Sequence, residues 1–266
     1  VIELRNDRVL VEVDAGAGGR LARLVVDGLD LLVRREDHGG RDTLHWGCFP
    51  MVPWAGRLGH GRLRFDGVEH RFPLTMAPHA IHGTTWSGPW TDAGHDRTSA
   101  LLRTDLANPW PFGGHALHRI RLEPDALVLE LEVHAGDVAM PAACGWHPWF
   151  RRHLDRGDPA ALSFAPAAMW QRGDDGLPTG RLVAVPPGPW DDCFTGLAAT
   201  PSLAWPGVLA LDLEADVEDW VVYDEPPEAL CVEPQTAPPD ALNRHPTVVA
   251  PGEAVAARFT LRWRAG

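Results

Sequence analysis

Apolar and polar residues alternate with a period of two in short runs, beginning with V-I-E-L-R-N-D-R-V-L-V-E-V at the start of the chain. Residues two apart share one face of a strand, so this pattern is that of a half-buried β-strand. Similar runs recur at Arg62–Phe65 and at residues 100–104, 118–122, 127–133, 208–213, 220–222 and 256–263. Between them stand turn signals such as D-A-G-A-G-G at 14–19 and D-G at 27–28. With 27 glycines and 25 prolines spread along the chain, no segment holds the i, i+3, i+4, i+7 apolar spacing of a helix over three turns. The pattern predicts an all-β chain of packed antiparallel sheets, a sandwich or a barrel, with its ligand site on a concave sheet face or mouth. No repeat, heptad or linker divides it, so residues 1–266 are expected to form one domain.

Composition narrows the partners. An apolar content of 45% and a charged content of 23% are those of an ordinary soluble protein. A formal net charge of −12 opposes a nucleic-acid or membrane-surface role. All 24 cationic side chains are arginine, a good binder of oxygen-rich ligands. The four cysteines, Cys48, Cys144, Cys193 and Cys231, have neither metal-site nor disulfide-framework spacing, and reduced thiols in a cytoplasmic protein are the simplest expectation.

Candidate chemistry centres on residues 231–243, C-V-E-P-Q-T-A-P-P-D-A-L-N. The apolar run before it reads as a strand, and Pro234 is expected to end that strand at Glu233 because it cannot donate to a central ladder. Glu233 then sits at a strand mouth, with a proline-rich extended loop in place of a helix after it. A carboxylate so placed is fixed and partly desolvated, as a general base requires. Upstream, Pro50, Pro53 and Gly56 predict a loop that presents Trp54 and Arg57, a clamp for hydroxyls or a carboxylate. His79 and His82 have H-x-x-H spacing, but Pro78 and Gly83 oppose the helix a shared metal would need. His82, followed by a glycine that permits close ligand approach, is the expected site residue. His147 lies in the aromatic run G-W-H-P-W-F, whose rings suit the C–H faces of a sugar. Asp191 and Asp192 open a further strand and fit polar hydroxyls, a calcium ion or a turn.

Taken in order, P-W-A-G-R-L-G-H-G-R, I-H-G-T-T-W, G-W-H-P-W-F, W-D-D-C-F-T and C-V-E-P-Q-T-A-P-P-D-A-L-N resemble the aldose 1-epimerase family, also called galactose mutarotases. The resemblance covers nearly the whole chain. It implies a large antiparallel β-sandwich whose concave face holds a free sugar, no cofactor and no metal. By position, Glu233 matches the catalytic base and His147 the catalytic acid. His82, Asp191 and Arg57 match positions that bind sugar hydroxyls, with Trp149 where many members carry a tyrosine. Gly56 stands where well-studied members have asparagine. The expected function is interconversion of the anomers of an aldose by acid/base ring opening, by a monomer or homodimer whose partner is a small sugar. The alternatives are a hexose-phosphate mutarotase, for which Arg57, Arg62, Arg64, Arg151 and Arg152 are candidate phosphate ligands, and a non-catalytic sugar-binding protein on the same fold.

Overall fold

The computed structural model describes residues 1–40 and 43–265. Two large antiparallel sheets dominate it, of 12 and 8 strands. In the first, Ile2–Arg5, Val9–Asp14, Arg20–Val26, Cys48–Met51, Gly145–Pro148, Ala229–Gln235, Asp219–Tyr223, Asp191–Leu197, Pro166–Arg172 and Pro178–Val183 lie side by side in that order, with the short strands Leu29–Asp30 and Phe150–Arg151 paired to Arg20–Val26 and Ala229–Gln235. The second runs Thr91–His95, Ser99–Asp105, His115–Leu122, Ala126–His134, Ala254–Ala265, Leu209–Ala215, Ser202–Trp205 and Ala161–Ser163. The alternating runs read from the sequence fall on these strands, displaced by up to three residues at their ends, except Arg62–Phe65, which pairs with Val68–Arg71 in a separate hairpin.

The sheets form a β-sandwich because each strand turns one set of alternate side chains inward. Val9, Val11 and Val13 do so in the first sheet and Leu127, Leu129, Leu131 and Val133 in the second, all in one continuous buried cluster. Trp146 and Trp220 of the first sheet meet Phe259 of the second at ring separations of 5.8 and 6.3 Å. Each such fully buried large apolar side chain contributes roughly 1.5–3 kcal/mol. One polar tie crosses this core: buried His118 accepts a hydrogen bond from the Trp146 indole at 3.1 Å and donates through Nδ1 to the Gly19 carbonyl at 3.1 Å.

Three local expectations need correction. The strand predicted to end at Glu233 runs on through Pro234 to Gln235, paired with Asp219–Tyr223 along its length. The missing N–H is tolerated because the neighbouring strand Gly145–Pro148 pairs with it at one position only, Gly145 with Gln235. Past the prolines the chain makes one helical turn, Ala241–Arg244, in place of a wholly extended loop. Pro50 lies in the strand Cys48–Met51, opposite Trp146, and Trp54 is buried in the core while Arg57 alone of that pair is presented. The four cysteines are free and buried. Among the described residues no helix is long and apolar enough to cross a membrane.

Candidate active site

The pleat of the first sheet builds the site. Val232 and Trp146 point into the core, so their neighbours Glu233 and His147 point to the opposite face. Extending the Gly145–Gln235 register by two residues sets His147 beside Glu233, and Nε2 of the imidazole lies 3.3 Å from Oε1 of the carboxyl. Gln235, two residues on and therefore on the same face, donates from Nε2 to the other carboxyl oxygen at 3.3 Å. His147 is clamped between two rings: Phe49, its register partner, at 4.9 Å and Trp149 at 5.0 Å, both stacked. His82 meets it edge-on at 4.9 Å and 90°.

Loops supply the remaining walls, and residues 231–243 hold them. Asp240 donates its N–H to the Arg57 carbonyl and accepts from Gly59 N–H, while Asn243 bonds the backbone of Arg62 and Arg64. Gly56 lies in the left-handed region at φ 65°, and a Cβ there would stand 2.8 Å from Pro239. That packing explains why a side chain is absent at this position. His82 also takes a left-handed φ of 59°, steadied by its N–H to the Gly56 carbonyl at 2.9 Å. A non-glycine residue held there costs of order 1–2 kcal/mol, a strain typical of functional positions. Arg57 Nη2 grips Asp191 Oδ2 at 2.7 Å, and Arg172 reaches the same oxygen at 2.9 Å from the opposite side.

These groups face one cavity of about 200 Å³. Arg57, His82, His147, Trp149, Asp191 and Glu233, the six residues singled out from sequence, all line it. A larger hollow of about 520 Å³ beside Thr195–Pro201 offers carboxylates but no imidazole or guanidinium. His79 lies outside the cavity lining, held by the Asp175 carbonyl at 2.7 Å and His60 N–H at 3.1 Å. Asp192 is likewise turned away, toward Arg172.

Burial sets the protonation of the pair. It pushes the Glu233 carboxyl well above its usual range, with nearby Asp191 adding to the shift, and pushes His147 well below. His82 is driven down to about 3 by the same burial and by Arg57. Sequence reasoning from solution values gives an ionised glutamate and a protonated histidine, whereas the interior favours both groups neutral. Across a 3.3 Å contact the pair therefore holds one proton, movable between oxygen and nitrogen.

Gln235, Phe49, Arg172, Tyr223 and His45 were not singled out from sequence. Gln235 was within reach, since in a strand it shares the face of Glu233; ending the strand at Pro234 hid it. Nothing in the sequence links Arg172 to Asp191.

Such a fold and site define a β-sandwich protein with a buried carboxyl–imidazole pair lining a pocket. The chain belongs to the aldose 1-epimerase family, whose model matches residues 1–198. That stretch contains His147, His82, Arg57, Asp191 and Trp149 but not Glu233, so the place of Glu233 in the site rests on geometry. YphB and YihR of Escherichia coli K12, both uncharacterized, are 31% identical over 108 residues and 26% identical over 152. The matches cover 39% and 55% of this chain and 36% and 48% of those proteins, so the chain spans less than half the length of either relative. Among solved structures, the GalM/aldose epimerase homologue from C. elegans superposes with a TM-score of 0.84 at 17% identity, covering 99% of this chain and 98% of that one. Galactose 1-epimerase from Lactobacillus acidophilus NCFM gives 0.82 at 17% identity, covering 99% and 94%. At these identities the superpositions show the shared fold.

Proposed function

We propose that the protein interconverts the α and β anomers of a free aldose by acid/base ring opening, without a cofactor. The observation that carries this reading is the 3.3 Å contact between His147 Nε2 and Glu233 Oε1 on the cavity floor. Opening a pyranose takes a proton from the C1 hydroxyl and gives one to the ring oxygen. Both oxygens are bonded to the same carbon, so base and acid must stand side by side. With one proton between them, the working form is carboxylate and imidazolium. Glu233 takes the hydroxyl proton as the C1 carbonyl forms, the C1 bond to the ring oxygen breaks, and His147 protonates that oxygen. Rotation about C1–C2 and the reverse transfers close the ring on the other face. Each transfer is worth roughly 10² to 10⁴ in rate.

Arg57, Asp191 and His82 bind sugar hydroxyls and Trp149 packs on a sugar face. Arg57 and Asp191 already form an ion pair, which presents donor and acceptor together to a diol. A neutral sugar is favoured over a hexose phosphate by where the arginines go. Arg152 is engaged by the carbonyls of Asp224, Pro226 and Ala229, Arg151 by Asp37 and the Leu32 carbonyl, and Arg64 by Glu69. Of the five candidates only Arg57 lines the cavity. The deciding measurement is the decay of optical rotation of fresh α-D-galactose and α-D-glucose with and without the protein. Acceleration of either supports the reaction. No acceleration with sugar binding intact replaces it with a binding role.

A further inference from the structure

Asp191 stands between two arginines. Arg57 and Asp191 line the acid/base cavity, whereas Arg172 does not. Arg172 lines a hollow of only about 20 Å³ beside them, with room for a water molecule but not for a sugar ring. Its place follows from strand pairing. Pro166–Arg172 lies antiparallel to Asp191–Leu197 with Met169 opposite Phe194, and carrying that register on by three residues sets Arg172 opposite Asp191 on the same face.

The bonds fall unevenly on the two oxygens of the Asp191 carboxylate. Arg57 Nη2 and Arg172 Nη1 both donate to Oδ2, at 2.7 and 2.9 Å. The same Nη1 donates to the Asp191 carbonyl at 2.7 Å, so one guanidinium nitrogen ties the side chain to its own backbone. Arg172 Nε lies 3.4 Å from Asp192 Oδ1, which steadies the other edge of the guanidinium. Oδ1 of Asp191 accepts no hydrogen bond among the described residues and is not closed off from solvent; the side chain is 25% exposed. An ionised carboxyl can accept at both oxygens. Here two guanidiniums occupy one and leave the other open in the cavity wall. A carboxylate immobilised beforehand binds a hydroxyl more tightly than one that must be ordered on binding.

We infer that Arg172 is a positioning residue for sugar binding: without touching the sugar, it locks the Asp191 carboxylate so that Oδ1 is offered to a sugar hydroxyl. This rests on the proposed function, in which Asp191 binds the sugar. The test is Arg172→Met, which keeps the stem and removes the donors. Arg57 still holds Oδ2, so the loss should be partial. KM for galactose or glucose should rise about twofold to tenfold, the cost of ordering one side chain on binding. The value of kcat should stay unchanged, as when an interaction is lost equally from the ground and transition states. Arg172→Lys, which keeps the charge without the fork, should lie between wild type and Arg172→Met. In an Asp191→Ala background Arg172→Met should weaken sugar binding no further, measured as Kd by calorimetry, because the residue through which it acts is gone. An unchanged KM in Arg172→Met overturns the inference, as does a fall in kcat alone. An equal loss of affinity with and without Asp191 overturns it too, since Arg172 would then act on the fold or on the sugar directly. The reading beneath it fails differently. Wild-type protein that binds an aldose without accelerating mutarotation removes the reaction, and Kd then decides the role of Arg172 in place of KM. Wild-type protein that binds neither sugar overturns both. Circular dichroism checks that each variant is folded.

Discussion

Two buried histidines lie on opposite faces of the strand Gly145–Pro148: His118 packs against its core face, and His147, one of its own residues, points from the other. His118, on the core side, has both ring nitrogens engaged, one by the Gly19 carbonyl and the other by the Trp146 indole. A single neutral tautomer satisfies both bonds, so the ring holds the two sheets together and has no proton to exchange. His147, on the open side, leaves Nδ1 without a hydrogen bond and turns Nε2 to a carboxyl at 3.3 Å. Burial lowers both pKa values, His118 to about 4 and His147 well below the usual range. Burial alone therefore does not distinguish the two histidines; the partners of their ring nitrogens do.

The sharpest way to break this contrast is Glu233→Gln. It should reduce mutarotation by roughly 10² to 10⁴ while sugar binding persists, measured by polarimetry and calorimetry; an active variant would remove the proposed mechanism. On the proposed mechanism the pair works with one proton, so activity should fall on the acid side as His147 takes up a second, at a pH below 6.5. It should fall on the alkaline side only as the raised pKa of Glu233 is passed. A pH–rate profile without that acid limb counts against His147.

Next in size is the structural member. A histidine with a lowered folded pKa contributes stability that is present above its unfolded value near 6.5 and is lost as pH falls toward about 4. That interval corresponds to about 3 kcal/mol for His118. Denaturant titrations from pH 7 to 4 should show the loss, and His118→Gln, which cannot titrate, should flatten the curve by a similar amount. An unchanged curve would mean His118 is not the titrating tie.

Smaller again is Arg57→Ala, which removes a charged donor from Asp191 and from the sugar. It should raise KM by about tenfold or more, the worth of a charge-assisted bond, with a lesser effect on kcat; a fall in kcat alone would place Arg57 in the chemistry. The smallest effect is expected from Gln235→Met. Gln235 donates to Glu233 and so lowers its pKa, and removing it should move the alkaline limb upward with no more than a few-fold change in maximal rate.

The errors of sequence reasoning came from rules applied to one strand at a time. Pro234 is a poor residue for a central strand, and the structure keeps it because the strand Gly145–Pro148 beside it pairs with its strand at one position only, Gly145 with Gln235. Trp54 and Arg57 share one loop, yet Trp54 packs into the core while Arg57 lines the cavity, which no local pattern records. Burial moves both members of the pair from their solution values, Glu233 up and His147 down, because desolvation is a property of everything packed around a residue.

Periodicity and turn chemistry alone determined that the chain is β, approximately where its strands lie, and which side chains share a face, because a period of two is written into backbone geometry. Its motifs also marked all six candidate site residues. Only the tertiary structure decided that Glu233 and His147, 86 positions apart in the sequence, meet at 3.3 Å. It alone placed Arg172 on Asp191. Register between distant strands and the water excluded on closing the sheets set these features, and both arise only when the whole chain packs.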